Sequence, residues 1–290
     1  MAIERVGVVG CGLMGSGIAE TCARAGYQVV VRELSADLLT RGLARIDASL
    51  GRAVERGKLD AASARAARER IRGTVDLADL RESDLVIEAV VELMTEKKAV
   101  FSELDRLCPR HTLFASNTSS LSITEMAAAT GRPERVVGMH FFNPVPVMPL
   151  VEVVRGLRTA EETVEAAKAF AATLGKRVVV VKDTPGFIVN LLLVPYLLDA
   201  VRALELGVAS REDIDTAVTL GLNHPMGPLT LLDFVGLDTT YYIAQAMYEE
   251  FKDPRYAPPP LLKRMVLAGY LGRKSGRGFY EYEPPPGGTG

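Results

Sequence analysis

The chain has 290 residues, enough for one large domain or two ordinary ones. Hydrophobic residues make up 48% and charged residues 24%, the balance of an ordinary globular protein, and the formal net charge of -2 gives no reason to expect nucleic acid or an anionic membrane surface as partner. No apolar run reaches the roughly 18 residues of a membrane span, and the first five residues lead straight into a strand with no basic-then-apolar signal segment.

Three cysteines, Cys11, Cys22 and Cys108, are odd in number and lack zinc-ligand spacing, so a reduced cytoplasmic protein without a metal is expected. Residues 3–9 form a short valine-rich run suited to a central strand buried on both faces. It passes directly into Gly10-Cys11-Gly12-Leu13-Met14-Gly15, which matches G-x-G-x-x-G, and a helical segment over 14–25 stops at Gly26. Gly10 permits the tight turn, Gly12 lets backbone approach a pyrophosphate, and Gly15 allows close helix–strand packing; the helix N-terminus faces the negative charge. A second strand over 28–32 ends at Glu33, 18 residues beyond Gly15 and near the expected spacing of about 20 for a ribose-binding acid. Its carboxylate would accept from the ribose 2′-OH and repel a 2′-phosphate, which favours NAD over NADP, although Arg32 beside it blurs that preference. A strand, glycine triplet, helix and distal acid in this order are a specific signal for dinucleotide binding.

A helical region over 36–72 follows, broken at Gly57 into two antiparallel pieces; its basic Arg52, Arg56 and Lys58 read as a solvated face. Strand and helix then alternate: strands at 84–88, 112–115, 135–139 and 177–181, helices at 95–107, 122–129 and 161–174. Ser122 as N-cap with Glu125 three residues on predicts a capping box. The rhythm is that of a doubly wound, mainly parallel α/β sheet of Rossmann type, with ligands at the carboxyl ends of the strands. Ser116 to Ser120, a cluster of small hydrogen-bonding side chains, lies at such an end, and so does His140. Two prolines, Pro144 and Pro146, fix an extended path after it. Glu152 sits inside the apolar run 150–154, where a carboxylate is costly without a partner. A histidine at a strand end with such an acid nearby is the arrangement of an oriented general base. On these residues alone the plainer readings stay open, a histidine satisfied in a loop and a glutamate facing water.

The pattern changes at Asp183-Thr184-Pro185-Gly186. We expect domains at 1–183, binding NAD, and 184–290, all-helical, for substrate binding and dimerisation, with the active site in the cleft between them. The helices of the second part are read at 187–206, 211–220, 229–251 with a bend at Gly236, and 261–268; Gly276 to Tyr280 closes the fold and 283–290 is expected to be disordered. His111 and His224 read as a solvent-facing and a structural histidine.

The motifs Gly10 to Gly15, Ser116 to Leu121, His140 to Pro144, Asp183 to Phe187 and Gly278 to Tyr280 together resemble the short-chain L-3-hydroxyacyl-CoA dehydrogenases, and within them the bacterial 3-hydroxybutyryl-CoA group, over nearly the whole chain. The resemblance implies an oxidoreductase of fatty acid metabolism and β-oxidation that converts (S)-3-hydroxyacyl-CoA and NAD to 3-ketoacyl-CoA and back. It implies His140 as acid/base, Glu152 as its orienting partner, and Ser119 and Asn190 on the reacting oxygen or its neighbour. NAD would be held by Gly10, Gly12, Leu13, Met14, Gly15, Glu33, Glu92, Lys97, Ser119, Asn143 and Lys274. Acyl-CoA would be held by Ser49, Arg56, Lys97, Ser119 and Asn190. Leu191 stands where the family often has arginine, which removes any salt bridge from that position. A homodimer is expected from the apolar helical domain. The alternatives are a dehydrogenase of a hydroxy acid without CoA, and an NAD-binding protein that has lost its chemistry.

Overall fold

Valine-rich runs without polar interruption suit strands covered on both faces, and they build one eight-stranded sheet in the first of the two units, Met1–Thr184 and Pro185–Gly290, into which the chain divides. The computed structural model describes residues 3–283. The strands are β1 (Arg5–Val9), β2 (Gln28–Arg32), β3 (Ile71–Thr74), β4 (Leu85–Glu88), β5 (Leu113–Ser116), β6 (Val136–Phe141), β7 (Leu150–Arg155) and β8 (Arg177–Lys182), in the order β3-β2-β1-β4-β5-β6-β7-β8. The first six run parallel in the doubly wound order, which reverses between β1 and β4. β7 then pairs antiparallel with β6, and β8 parallel with β7.

Six helices cover the sheet: α1 (Leu13–Arg24), α2 (Ala36–Glu55), α3 (Ala61–Glu69), α4 (Met94–Leu107), α5 (Ile123–Ala127) and α6 (Glu161–Thr173). Alternate strand residues such as Val6, Val8, Val29, Val31 and Ile87 join Ile18, Ile46 and Phe170 of α1, α2 and α6 in one core. The opposite phase takes Phe114 to the other face, where its ring meets Phe101 of α4 at 6.0 Å between centroids.

Two local readings change. The helical stretch expected over 36–72 ends at Glu69, and Ile71–Thr74 with Arg72 forms the edge strand beside β2. Four residues carrying one buried apolar side chain, Ile71, are too short for any periodicity to show. At α5, Ser122 does accept from the Glu125 amide at 3.2 Å, but the Glu125 carboxylate turns to Lys98 at 3.2 Å. Asp183 completes the cap instead. Its carboxylate accepts from the Ile123 and Thr124 amides at 2.9 and 2.7 Å and from the Ser122 hydroxyl at 2.9 Å.

The second unit is helical: α7 (Val189–Glu205), α8 (Arg211–Gly221), α9 (Pro228–Val235), α10 (Leu237–Phe251) and α11 (Pro260–Leu267). Val194, Leu198, Leu232, Leu237, Met247 and Leu262 form its core. The bend expected at Gly236 is a full break between α9 and α10, made at a φ of 104° that favours glycine. Asp233 fastens the Gly278-Phe279-Tyr280 ending by accepting from the Phe279 and Tyr280 amides at 2.8 and 2.9 Å. Among the described residues no helix is long and apolar enough to cross a membrane. Of the tail expected to be disordered, 283–290, all but Glu283 lies outside the described residues.

Asp183 caps a helix with three hydrogen bonds to a charged acceptor, so Asp183→Ala should lower stability by about 2 kcal/mol. Urea unfolding checks this, and Asp183→Asn should lose less.

Candidate functional site

The glycine turn follows from packing at the point where the strand order reverses. Gly10 has a φ of 95°, and a Cβ there would come within 2.5 Å of the Ala89 carbonyl oxygen just beyond β4. A Cβ on Gly15 would overlap the Gly10 carbonyl oxygen. Gly12 differs: a Cβ there would meet no protein atom within 4 Å. The chain's own packing therefore does not require glycine at 12, whereas a ligand running along the backbone does. Gly12 is also the N-cap of α1 and makes no side-chain cap bond, which leaves the positive helix end to an anion. Leu13 follows, 64% exposed, and Met14 packs against the core. Glu33 stands beside the turn at the end of β2, its two carboxylate oxygens accepting from the Cys11 and Leu34 amides at 2.8 Å each. Turn, helix end and acid fit the pyrophosphate and ribose of a dinucleotide.

His140 is the last residue but one of β6, and the antiparallel register sets it directly opposite Glu152. Directly opposed side chains in such a pair stand close enough to touch, and His140 Nδ1 lies 2.6 Å from Glu152 Oε2. Glu152 is wholly buried and the His140 side chain is 9% exposed. The reading of Glu152 as a water-facing strand residue is thus overturned, since β7 is buried on both faces at this point. An ionised carboxylate only accepts, so an ionised Glu152 would accept from a proton on Nδ1 in this contact and leave Nε2 as the ring's acceptor. The Phe142 ring packs on the imidazole at 4.5 Å between centroids. The Phe141 amide donates to Asn117 Oδ1 at 2.9 Å, tying β6 to the polar cluster after β5.

That cluster is organised by a buried ion network which the sequence did not reveal. Glu88, fully buried at the end of β4, accepts from Lys97 Nζ at 2.7 Å, the Val90 amide at 2.7 Å and the Ser116 hydroxyl at 2.6 Å. Lys97 Nζ also lies 3.1 Å from Glu92. Glu92 in turn accepts from the Thr118 hydroxyl at 2.5 Å and from the Ser119 amide at 3.0 Å. Burial raises the Glu92 carboxyl, but the Lys97 charge and these hydrogen bonds outweigh it and hold the group below the usual carboxylate range. Ser119 is thereby placed, its hydroxyl 3.4 Å from Glu92. Lys97 itself is only 1% exposed and is held between two carboxylates. Its charge helps hold the Glu92 carboxyl down. The signal for Glu88 was available: an acid ending a fully apolar strand needs a partner for the same reason Glu152 does.

The other expected residues fall as follows. Ser49 and Arg56, seven apart and so on one side of the helix, lie late in α2 and at its C-cap, Ser49 half-buried and Arg56 exposed. Asn143 is exposed in the connection between β6 and β7. Asn190 is half-buried in the first turn of α7, followed by Leu191, and Lys274 is exposed and pairs with Asp238 at 2.6 Å; both belong to the second unit. His111 is exposed with Asp84 at 3.9 Å, and His224 lies 3.3 Å from the Tyr196 hydroxyl.

The glycines separate packing from ligand binding. Gly15→Ala should destabilise the protein by about 2 kcal/mol or more. Gly12→Ala should leave the melting temperature nearly unchanged yet weaken NADH binding about tenfold or more, as read by fluorescence titration.

Residues 5–184 match the family 3-hydroxyacyl-CoA dehydrogenase, NAD binding domain, and residues 186–282 match 3-hydroxyacyl-CoA dehydrogenase, C-terminal domain. The chain is 57% identical over 283 residues to a 3-hydroxybutyryl-CoA dehydrogenase of Mycobacterium tuberculosis, covering 97% of this chain and 99% of that one. The crystal structure of M. tuberculosis FadB2 superposes with a TM-score of 0.96 at 56% identity, covering 98% of this chain and all of that one. That of (S)-3-hydroxybutyryl-CoA dehydrogenase PaaH1 from Ralstonia eutropha gives 0.94 at 46% identity, covering 97% and 100%. With the glycine turn, Glu33 beside it and the buried histidine–glutamate pair already in one sheet, these matches show that the chain belongs to the NAD-dependent 3-hydroxyacyl-CoA dehydrogenase family.

Proposed function

We propose that this protein oxidises (S)-3-hydroxyacyl-CoA, 3-hydroxybutyryl-CoA foremost, to the 3-ketoacyl-CoA and catalyses the reverse reduction. The observation that carries this reading is the 2.6 Å contact between His140 and the fully buried Glu152, at the carboxyl edge of a dinucleotide-binding sheet. Bound NAD supplies the hydride acceptor. His140 Nε2 takes the proton of the substrate 3-hydroxyl as hydride leaves C3, and returns it to the ketone oxygen in reduction. Glu152 holds the tautomer and stabilises the imidazolium that forms. Ser119, set by Glu92, hydrogen-bonds the reacting oxygen, and Asn190 donates to the thioester carbonyl. Glu33 at the end of β2 binds the adenosine ribose and disfavours a 2′-phosphate. Ser49 and Arg56 on α2 take the coenzyme A portion, and Asn143 and Lys274 complete the NAD contacts.

The apolar side chains exposed on the helical unit, among them Leu192, Leu206, Val208, Leu220 and Leu267, support a homodimer formed through that unit. The three cysteines are free and buried, which supports a cytoplasmic protein.

The assay is loss or gain of NADH absorbance. Acetoacetyl-CoA reduction with NADH should proceed far faster than reduction of free acetoacetate, and faster than with NADPH. Equal rates on the free acid would favour the dehydrogenase of a hydroxy acid without CoA. His140→Gln should lower turnover by about 10²- to 10⁴-fold with NADH binding retained. Near-normal turnover would remove His140 from the mechanism. Glu152→Gln keeps the shape and loses the charge, and should lower turnover by about 10²-fold or more.

A further inference from the structure

Lys176 takes no part in the proposed reaction, yet it is buried against the segment that joins the histidine's strand to the glutamate's. Its Nζ donates to the Val145 carbonyl at 2.6 Å and to the Met148 carbonyl at 2.8 Å. The next amide, that of Arg177, donates to the Pro149 carbonyl at 2.6 Å. Three carbonyls of segment 142–149 are therefore gripped by two consecutive residues at the start of β8. Within the segment, the Val147 and Met148 amides both donate to the Pro144 carbonyl at 3.0 and 2.9 Å, closing it into a turn. On its other side Val145 is buried against α1, so closely that a Cβ on Gly17 would stand 3.0 Å from its Cβ. Phe142 and Asn143 enter this fastened turn, the one packed on the His140 ring and the other a proposed NAD contact.

A buried ammonium costs a great deal unless its donors are used, and hydrogen bonds from a charged donor are about twice as strong as neutral ones. Lys176 meets that cost with carbonyls of this one turn. Burial pushes its amine below the ordinary lysine value, in keeping with an ammonium that depends on those carbonyls.

We infer that Lys176 is a positioning residue for the reaction: its ammonium fixes the turn so that Asn143 is held for the dinucleotide and Phe142 against the imidazole. The inference rests on the function proposed above. It separates Lys176 from a lysine that only adds stability, because the turn bears on NAD and the histidine and carries no assigned coenzyme A contact.

Lys176→Met keeps most of the stem and removes the donors; Lys176→Arg keeps a cation. Both are compared with wild type below their melting temperatures, with folding checked by circular dichroism. For Lys176→Met, NADH binding, read by fluorescence, should weaken about tenfold and kcat should fall about tenfold or more, the scale of a displaced active-site group. KM for acetoacetyl-CoA should stay within about twofold, and Lys176→Arg should recover part of both losses. A folded Lys176→Met with NADH affinity and kcat within about twofold of wild type overturns the inference. So does a loss that Lys176→Arg shares in full. Wild type that binds NADH but turns over no acyl-CoA would instead sink the proposed function, and the NADH affinities of the variants would still test the clamp.

Discussion

A carboxylate with no exposure to water stands directly across a strand pair from an imidazole, and the antiparallel pairing of β6 with β7 is what sets those two groups face to face. Burying a charged carboxylate costs roughly several kcal/mol even after relaxation. The cost is offset only by a partner at hydrogen-bond distance, which the antiparallel ladder supplies by pairing residue with residue. A parallel neighbour after β6 would need a crossover of about a dozen residues or more. By reversing the chain between β6 and β7, the fold brings His140 and Glu152 together from positions 12 apart in sequence.

The same register connects the pair to the dinucleotide turn. Val9 pairs with Glu88, Glu88 with Ser116, and Ser116 with Gly138, so one line across four parallel strands ends two residues short of His140. Gly10, Asn117 and His140 thus emerge at one edge because the strands beneath them share one direction. The Phe141 amide bonded to Asn117 ties that edge beyond the last paired residue. Positions that the proposed reaction needs in a common place are set by backbone hydrogen bonds, which makes the candidate site a property of the sheet.

This explains which parts could be read from the sequence. The glycine turn, Glu33, the alternating strands and the helical second part are local patterns, and each is visible within about two dozen residues of sequence. Glu152 could be singled out because an acid in an apolar strand demands an explanation. Its partner's exact register could not, since the direction of β7 depends on pairings that no local period records. Asp183 capping α5 from 60 residues away, Ser116 bonding Glu88, and Lys176 holding Val145 and Met148 are likewise long-range solutions to local polar deficits. β3 was missed for another reason: it is an edge strand of four residues with little apolar content to mark it.

Glu88 and Glu152 show how one physical problem is answered in two ways. Both are fully buried acids on strands of the same sheet. Glu88 is given a lysine, a hydroxyl and an amide, partners whose donors stay in place, and it serves as a fixed post for Ser116 and Lys97. Glu152 is given a histidine, the side chain whose charge changes most readily near neutral pH. The lysine pair has nothing to exchange during a reaction, whereas the imidazole can gain and lose a proton while the acid behind it remains anchored. The choice of partner, more than the burial itself, separates a carboxylate that holds the site together from one that takes part in the proposed reaction.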